Sequence, residues 1–139
     1  MKKYFDVNSP SSVPLSLYIH IPWCIKKCPY CDFNSHEASI SFDEQGYVDA
    51  LIKDLEVELP HIWGRSIVSI FIGGGTPSLF SPESIDKLLS SIRAYFNFNS
   101  SIEITLEVNP GTVEANRFSE YKAVGINRLS IGVQSFNDK

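Results

Sequence analysis

Cys24, Cys28 and Cys31 fall within one short string, Cys24-Ile25-Lys26-Lys27-Cys28-Pro29-Tyr30-Cys31, and are the only cysteines in the chain. Thiolates are soft ligands, and several in one loop suit an iron–sulfur cluster or zinc. At C-x3-C-x2-C spacing, three thiolates can take three corners of a 4Fe–4S cube. No fourth cysteine is present, so the fourth iron stays open to another ligand, as catalysis at a metal needs. Zinc is the alternative, with His20, His36 or Asp32 as fourth ligand. The three-residue gap fits zinc less well, because zinc prefers paired C-x2-C knuckles. The spacing therefore favours iron–sulfur over zinc. Chain start Met1-Lys2-Lys3-Tyr4-Phe5-Asp6 leads into Asn8, Ser9 and Pro10 instead of an apolar run. With no export signal and an odd cysteine count, a disulfide scaffold is not expected.

Gly73-Gly74-Gly75-Thr76-Pro77 follows an apolar run. Glycines there allow close approach of backbone to a ligand, or positive φ. No Gly-Lys-Ser/Thr follows and no G-x-G-x-x-G is present, so neither phosphate-loop fingerprint applies. A tight turn alone would need fewer glycines. Glu107 stands on the polar side of an alternating run, before Asn109-Pro110, where a carboxylate can accept two ribose hydroxyls or else anchor a loop by a salt bridge. Gln134 ends another such run, and a buried amide there must be paired. Tyr18, Tyr30, Trp23 and Trp63 read as packing aromatics, and His20 as a hydrogen-bonded structural histidine. Lys26 and Lys27 read as a solvated loop or as cations facing an anionic cluster.

The elements that must position these groups alternate strand and helix. Leu15-Ser16-Leu17-Tyr18-Ile19-His20-Ile21 has a period of two and ends at Pro22. Residues 22–41 form a long loop holding the cysteines. A helix is expected from Phe42 to Leu59, with Tyr47, Val48, Leu51, Ile52, Leu55 and Leu59 as its stripe and Pro60 as its stop. Ile67 to Ile72 reads as a strand buried on both faces. Ser81, Pro82 and Glu83 start a second helix, with Ile85, Leu88, Leu89, Ile92 and Tyr95 inward. A strand over Ile102–Val108, a helix over Thr112–Val124 with Gly125 after it, and a strand over Arg128–Gln134 complete βαβαβαβ.

Alternating strands and helices predict an α/β fold with a parallel sheet and right-handed crossovers. Strands one, three and four each have a polar side: Tyr18 and His20; Glu103, Thr105 and Glu107; Ser130, Gly132 and Gln134. A doubly wound sheet covers both faces with helices and has no place for this polarity. A β/α barrel or partial barrel can turn it into a ligand-holding lumen, with its functional groups at the C-terminal strand ends. The cysteine loop, the triple glycine, Glu107 and Gln134 all fall on that edge. Four strands cannot close a barrel, and Leu129, Ile131 and Val133 are expected to face water for want of a covering helix. The chain therefore reads as the front part of a longer protein, with an arm over 1–14 and the start of a core domain over 15–139.

The chain is 43% hydrophobic and 20% charged, which excludes a disordered tail or a coiled coil. A formal net charge of −4 argues against a broad nucleic-acid surface. No apolar stretch approaches the roughly 20 residues needed to span a bilayer, so a cytoplasmic protein is expected.

These blocks together carry a resemblance. C-x3-C-x2-C after a strand, with a glycine turn after the next, resembles the radical S-adenosylmethionine (radical-SAM) superfamily. Leu17-Tyr18-Ile19-His20-Ile21-Pro22-Trp23-Cys24, Cys28-Pro29-Tyr30-Cys31-Asp32-Phe33-Asn34-Ser35-His36, Gly73 to Ser78, Glu107-Val108-Asn109-Pro110 and Arg128 to Phe136 narrow it. They resemble the oxygen-independent coproporphyrinogen III oxidase family, and within it the heme chaperone HemW branch. The resemblance runs from about Leu15 to the last residue. It implies the N-terminal portion of a radical-SAM (β/α) partial TIM-type barrel.

The resemblance also implies roles. Cys24, Cys28 and Cys31 would ligate a 4Fe–4S cluster, and S-adenosyl-L-methionine would chelate the open iron through its amino and carboxylate groups. Gly74, Gly75 and Thr76 would contact its methionyl part, Tyr18 and the backbone at Tyr30 its adenine end, and Glu107 and Gln134 its ribose region. Oxidases of the family carry a further cysteine two residues after the third, where this chain has Phe33. The departure favours a chaperone that binds heme and passes it to acceptor proteins over an enzyme acting on coproporphyrinogen. In the enzymatic alternative, one electron would cleave S-adenosylmethionine to a 5′-deoxyadenosyl radical. The proposed heme-binding region of the branch lies beyond residue 139. An electron donor and heme acceptors are the implied partners, and membranes would be met only through acceptors.

Overall fold

A computed structural model describes residues 13–38, 42–110 and 112–137. Most of the expected arm 1–14, residues 39–41 of the loop and the last two residues lie outside them. The elements are β1 (Leu15–Ile21), β2 (Trp23–Cys24), β3 (His36–Glu37), α1 (Glu44–Ile62), β4 (Ile67–Gly74), α2 (Pro82–Tyr95), β5 (Phe98–Val108), α3 (Thr112–Val124) and β6 (Arg128–Ile131). A 3-10 turn over Pro77–Leu79 joins β4 to α2.

Four parallel strands form one sheet in the order β1-β4-β5-β6. Each crossover therefore steps one place in the same direction. Right-handed crossovers that all step one way put every helix on the same face. A doubly wound sheet would instead reverse its order at a switch point. α1 packs on α2 and α2 on α3 along the covered face. Beneath them, Ile19, Ile21, Ile70, Ile72, Ile104, Leu106 and Val108 meet Val48, Ile85, Leu88, Leu89, Ile92 and Tyr121 in one buried cluster. The partial-barrel arrangement is thus set by strand order as well as by polarity.

The uncovered face keeps the expected rows. Tyr18 pairs across the sheet with Phe71, Phe71 with Thr105, and Thr105 with Arg128. β4 is not buried on both faces as its apolar run suggests. Ile67, Ile70 and Ile72 are buried, while Phe71 is only half-covered, stacked on Tyr18 at 6.2 Å between ring centroids. No helix covers that side. Thr105 alone on the polar rows is fully buried, and its Oγ1 donates to Glu103 and accepts from Arg128.

Helix starts follow the local chemistry. Asp43 caps α1 by accepting the Gly46 N–H at 2.9 Å, and Ser81 caps α2 by accepting the Ser84 N–H at 3.2 Å. Glu44 Oε1 accepts both the Ser81 N–H (2.7 Å) and the Ser81 hydroxyl (2.6 Å), which ties the two helix starts together. Helix α1 runs through Pro60 to Ile62 instead of stopping at Leu59. Proline removes one N–H and crowds the preceding turn, but so near the C-terminus few helical bonds remain to lose. Trp63, expected to pack, is 73% exposed just past this end.

Strand β6 is shorter than its pattern suggests. Gly132 still donates to the Val108 carbonyl, and then the chain turns, with Val133 N–H bonding the Ile131 carbonyl and Gln134 in the left-handed region at φ 65°. The partner strand gives out at Val108, and Pro110 has no N–H to offer. Of the three residues expected to face water, Leu129 packs against the core, while Ile131 and Val133 are exposed.

The buried face should dominate stability. Replacing Ile72, which is fully buried, by Ala should cost about 2–5 kcal/mol. Val57→Ala on the exposed side of α1 should change stability by less than about 0.5 kcal/mol. Denaturant midpoints on the protein carrying this chain measure both. Equal effects would show that the covered face has been misassigned.

Candidate functional site

The cysteine loop is clamped at its base. β2 and β3 pair in parallel, Trp23 with His36 and Cys24 with Glu37. The His36 N–H reaches the Pro22 carbonyl (2.7 Å) and the Ala38 N–H the Cys24 carbonyl (2.8 Å). The glycine turn is bonded to the same segment: Gly75 N–H to Ile21 O and Thr76 N–H to Trp23 O, both at 2.7 Å. A Cβ on Gly75 would lie 2.6 Å from the Trp23 carbonyl oxygen and 2.8 Å from that of Pro22. Only glycine lets the turn pass so close beneath the loop. On the other side, Trp23 packs on Phe42, Tyr47 and Phe80, with its ring centre 4.4 Å from that of Tyr47. Trp23 is thus the packing aromatic that the sequence suggested.

Cys24 is buried at this base, Cys31 is half-buried and Cys28 is exposed, all as free thiols. All three line a cavity of about 520 Å³ at the carboxyl edge of the sheet. Tyr30, Gly74, Gly75, Thr76, Glu107 and Gln134 line it too. Hydrogen bonding to Cys28 raises the Tyr30 phenol above its ordinary value, with the Cys28 charge adding to the effect.

Glu107 is anchored by the Gly74 N–H, which donates to its Oε2 at 2.9 Å. Gly74 has φ 122°, which turns that N–H toward the carboxylate and favours glycine. The carboxylate is held by backbone, without the expected salt-bridge alternative, and its Oε1 has no hydrogen-bond partner among the described residues. Gln134 lies on the rim of the cavity, exposed, with its amide turned to the nearby Gly132 carbonyl at 3.4 Å. The expectation of a buried, paired strand residue fails because β6 ends at Ile131.

Tyr18 stands apart from the cavity lining, lower on the uncovered face and 57% exposed. It is joined to the site through His20. The His20 Nε2 lies 2.7 Å from the Asn34 carbonyl, which can only accept, so the neutral ring carries its proton there. Its Nδ1 then accepts the Tyr18 hydroxyl at 2.9 Å. Burial first, and the Glu107 charge second, raise the Tyr18 phenol above its ordinary value. His20 is thereby the structural histidine anticipated: it pins the end of the cysteine loop to β1. Lys27 is exposed, and its Nζ donates to the Ser35 carbonyl at 3.0 Å. Lys26 lines the cavity.

Three residues for which the sequence suggests no role at the site complete the frame. Asn109 lines the cavity and its amide donates to the Thr76 hydroxyl at 3.3 Å. Tyr47 on α1 donates to the His20 carbonyl at 2.8 Å. Tyr121, fully buried on α3, donates to the Ser78 and Phe80 carbonyls and so holds the turn after the glycines. Only Asn109 left a sequence trace, two residues after Glu107 at a strand end.

Three thiols lining one cavity could each take one iron of a 4Fe–4S cubane, which needs one thiolate on each of three irons. The same cavity has a glycine-lined side open to a small polar ligand and a fixed carboxylate. Among the described residues no helix is long and apolar enough to cross a membrane.

Comparison with known proteins agrees with this geometry. Residues 18–139 match the Radical SAM superfamily. Over 133 residues the chain is 58% identical to the heme chaperone HemW of Haemophilus influenzae, covering 93% of this chain and 35% of the relative. It is 53% identical over 126 residues to the heme chaperone HemW of Escherichia coli, covering 91% of this chain and 33% of the relative. It is 39% identical over 124 residues to the oxygen-independent coproporphyrinogen III oxidase of Escherichia coli, covering 89% and 27%. The solved structure of coproporphyrinogen III oxidase (HemN) from Escherichia coli, described as a radical SAM enzyme, superposes with a TM-score of 0.80 at 39% identity, over 89% of this chain and 29% of that one. The chain thus spans about a third of the length of these relatives. With its one-directional parallel sheet and its three thiols at the carboxyl edge, the chain belongs to the Radical SAM superfamily.

Proposed function

We propose that this chain is the cluster- and S-adenosylmethionine-binding part of a HemW-type heme chaperone. The observation that carries the reading is the convergence of Cys24, Cys28 and Cys31 with Gly74, Gly75, Thr76 and Glu107 on one cavity. In this reading the three thiolates hold a 4Fe–4S cluster. The glycine turn admits the methionyl end of S-adenosylmethionine, because no Cβ stands between backbone and ligand. Glu107 keeps Oε2 on the Gly74 N–H and offers Oε1 to ribose hydroxyls. Gln134, on the rim, reaches the same ribose end. Tyr18 and the backbone at Tyr30 hold the adenine end, with the Tyr18 hydroxyl fixed by its bond to His20. When bound and reduced, the cluster supplies one electron for cleavage of S-adenosylmethionine.

The chaperone reading is preferred over coproporphyrinogen oxidase for two reasons. Phe33 occupies the position of the oxidases' further cysteine, and the HemW relatives are nearer, at 53–58% against 39% identity. Heme is cargo in this reading, bound and passed to acceptor proteins of a cytoplasmic pathway fed by an electron donor. Heme titration against porphyrinogen turnover, on the full-length protein, separates the two. Turnover without heme binding would reverse the preference.

Replacing any one of the three cysteines by Ala should abolish the broad charge-transfer absorbance of anaerobically reconstituted full-length protein. A stoichiometric tetrahedral zinc site in the purified protein would sink the cluster reading. Glu107→Gln should weaken S-adenosylmethionine binding roughly ten- to a hundredfold, equivalent to about 1.5–3 kcal/mol for a charge-assisted hydrogen bond. Iron content should stay near wild type. Unchanged affinity would make Glu107 a purely structural anchor of Gly74. Gly75→Ala should lose cluster and ligand together, since the turn must withdraw from the Trp23 and Pro22 carbonyls; full iron content in that variant would contradict the clamp.

A further inference from the structure

We infer that the Ser35 hydroxyl donates a hydrogen bond to the sulfur of Cys31 and thereby raises the reduction potential of the cluster. This rests on the cluster reading above.

Ser35 is 1% exposed, a buried hydroxyl in a loop whose neighbours are mostly exposed. Its Oγ lies 3.7 Å from Cys31 Sγ and 3.4 Å from the Phe33 carbonyl. The residue is fixed from several directions. Its N–H donates to Phe33 O at 2.7 Å, and its own carbonyl accepts Lys27 Nζ at 3.0 Å. The next residue, His36, is bonded to the Pro22 carbonyl in the β2–β3 ladder. Ser35 is therefore held by protein contacts alone.

Protonation decides the direction of the bond. Between a thiol and a hydroxyl either group can donate. A ligating thiolate has no proton, so only the hydroxyl can. The hydroxyl has one proton and two acceptors within reach. The Phe33 carbonyl is neutral and two residues away along the chain. The thiolate is charged, and hydrogen bonds to charged acceptors are roughly twice as strong. Formation of the thiolate thus turns the proton from Phe33 to Cys31. No water competes at a buried hydroxyl, so the bond keeps its full electrostatic strength.

One-electron reduction adds a negative charge to the cluster and its sulfurs. A donor on a ligating sulfur stabilises the reduced form more than the oxidised form, and hydrogen bonds to the sulfurs are among the determinants of cluster potential. Cys28 meets a hydroxyl too, that of Tyr30, but Tyr30 is exposed and its bond competes with water; the Ser35 hydroxyl on Cys31 is buried.

The test is potentiometric titration, followed by electron paramagnetic resonance, of the full-length protein reconstituted anaerobically as wild type, Ser35→Ala and Ser35→Thr. At a fixed potential, Ser35→Ala should show a reduced-to-oxidised ratio about tenfold below wild type, a midpoint about 59 mV more negative. Ser35→Thr keeps the hydroxyl and should return toward wild type. Pulsed measurements in deuterium oxide should find an exchangeable proton coupled to the reduced wild-type cluster and missing in Ser35→Ala. A wild-type midpoint in Ser35→Ala overturns the inference. Should Ser35→Ala hold no cluster, the wild-type coupling decides: its presence, with a cluster retained in Ser35→Thr, supports the inference, and its absence overturns it. A wild-type protein that takes up no 4Fe–4S cluster would overturn the cluster reading itself.

Discussion

The site depends on one topological constraint: three crossovers that all advance the parallel sheet in the same direction, right-handed as such connections are. Helices α1, α2 and α3 are thereby confined to one face, where Ile70, Ile72, Leu106 and Leu89 bury their side chains. The opposite face is left for Tyr18, Phe71, Glu103, Arg128 and Ser130. The parallel direction then brings the ends of β1, β4, β5 and β6 to a common edge. Each chemical group of the site is a residue at, or just beyond, one of those ends.

What the topology gathers, the clamp at Pro22 and Trp23 holds in register. Their carbonyls receive the His36 and Thr76 N–H groups, and the absent Cβ of Gly75 lets the turn pass beneath them. Through this crossing the cysteine loop and the glycine turn are bonded directly to one another. Behind it stand Phe42, Tyr47 and Phe80, so the base of the loop is anchored in aromatic packing although its tip, with Cys28 and Tyr30, is exposed. A buried base and an open tip fix Cys24 in the core and leave Cys28 at the surface of the cavity.

Much of this was legible in the sequence because period and punctuation agreed. Leu15 to Ile21 alternates strictly and is a strand, and Ser81-Pro82-Glu83 starts a helix as its cap chemistry dictates. Where the reading failed, a tertiary partner decided. Arg128 to Gln134 alternates well, yet β6 stops at Ile131 because β5 offers nothing to pair with after Val108. Ile67 to Ile72 is apolar enough for two buried faces, but topology supplies helices to only one. Pro60 near the end of α1 breaks too few bonds to stop it. The β2–β3 pairing involves two residues a side, too short for any period to show. Ser35, Tyr47 and Tyr121 act through backbone carbonyls or a single sulfur, contacts that residue type does not announce.

The central claim is that one cavity holds a cluster and S-adenosylmethionine in contact, the ligand sitting on the iron that has no thiolate. Electron paramagnetic resonance of the reduced full-length protein, with and without S-adenosylmethionine, tests it most directly. The account predicts a 4Fe–4S signal whose g-values shift on addition of the ligand, and a shift that needs roughly ten- to a hundredfold more ligand when Glu107 is replaced by Gln. A cluster signal indifferent to saturating S-adenosylmethionine would contradict it, because the glycine turn and the thiols would then serve separate ends.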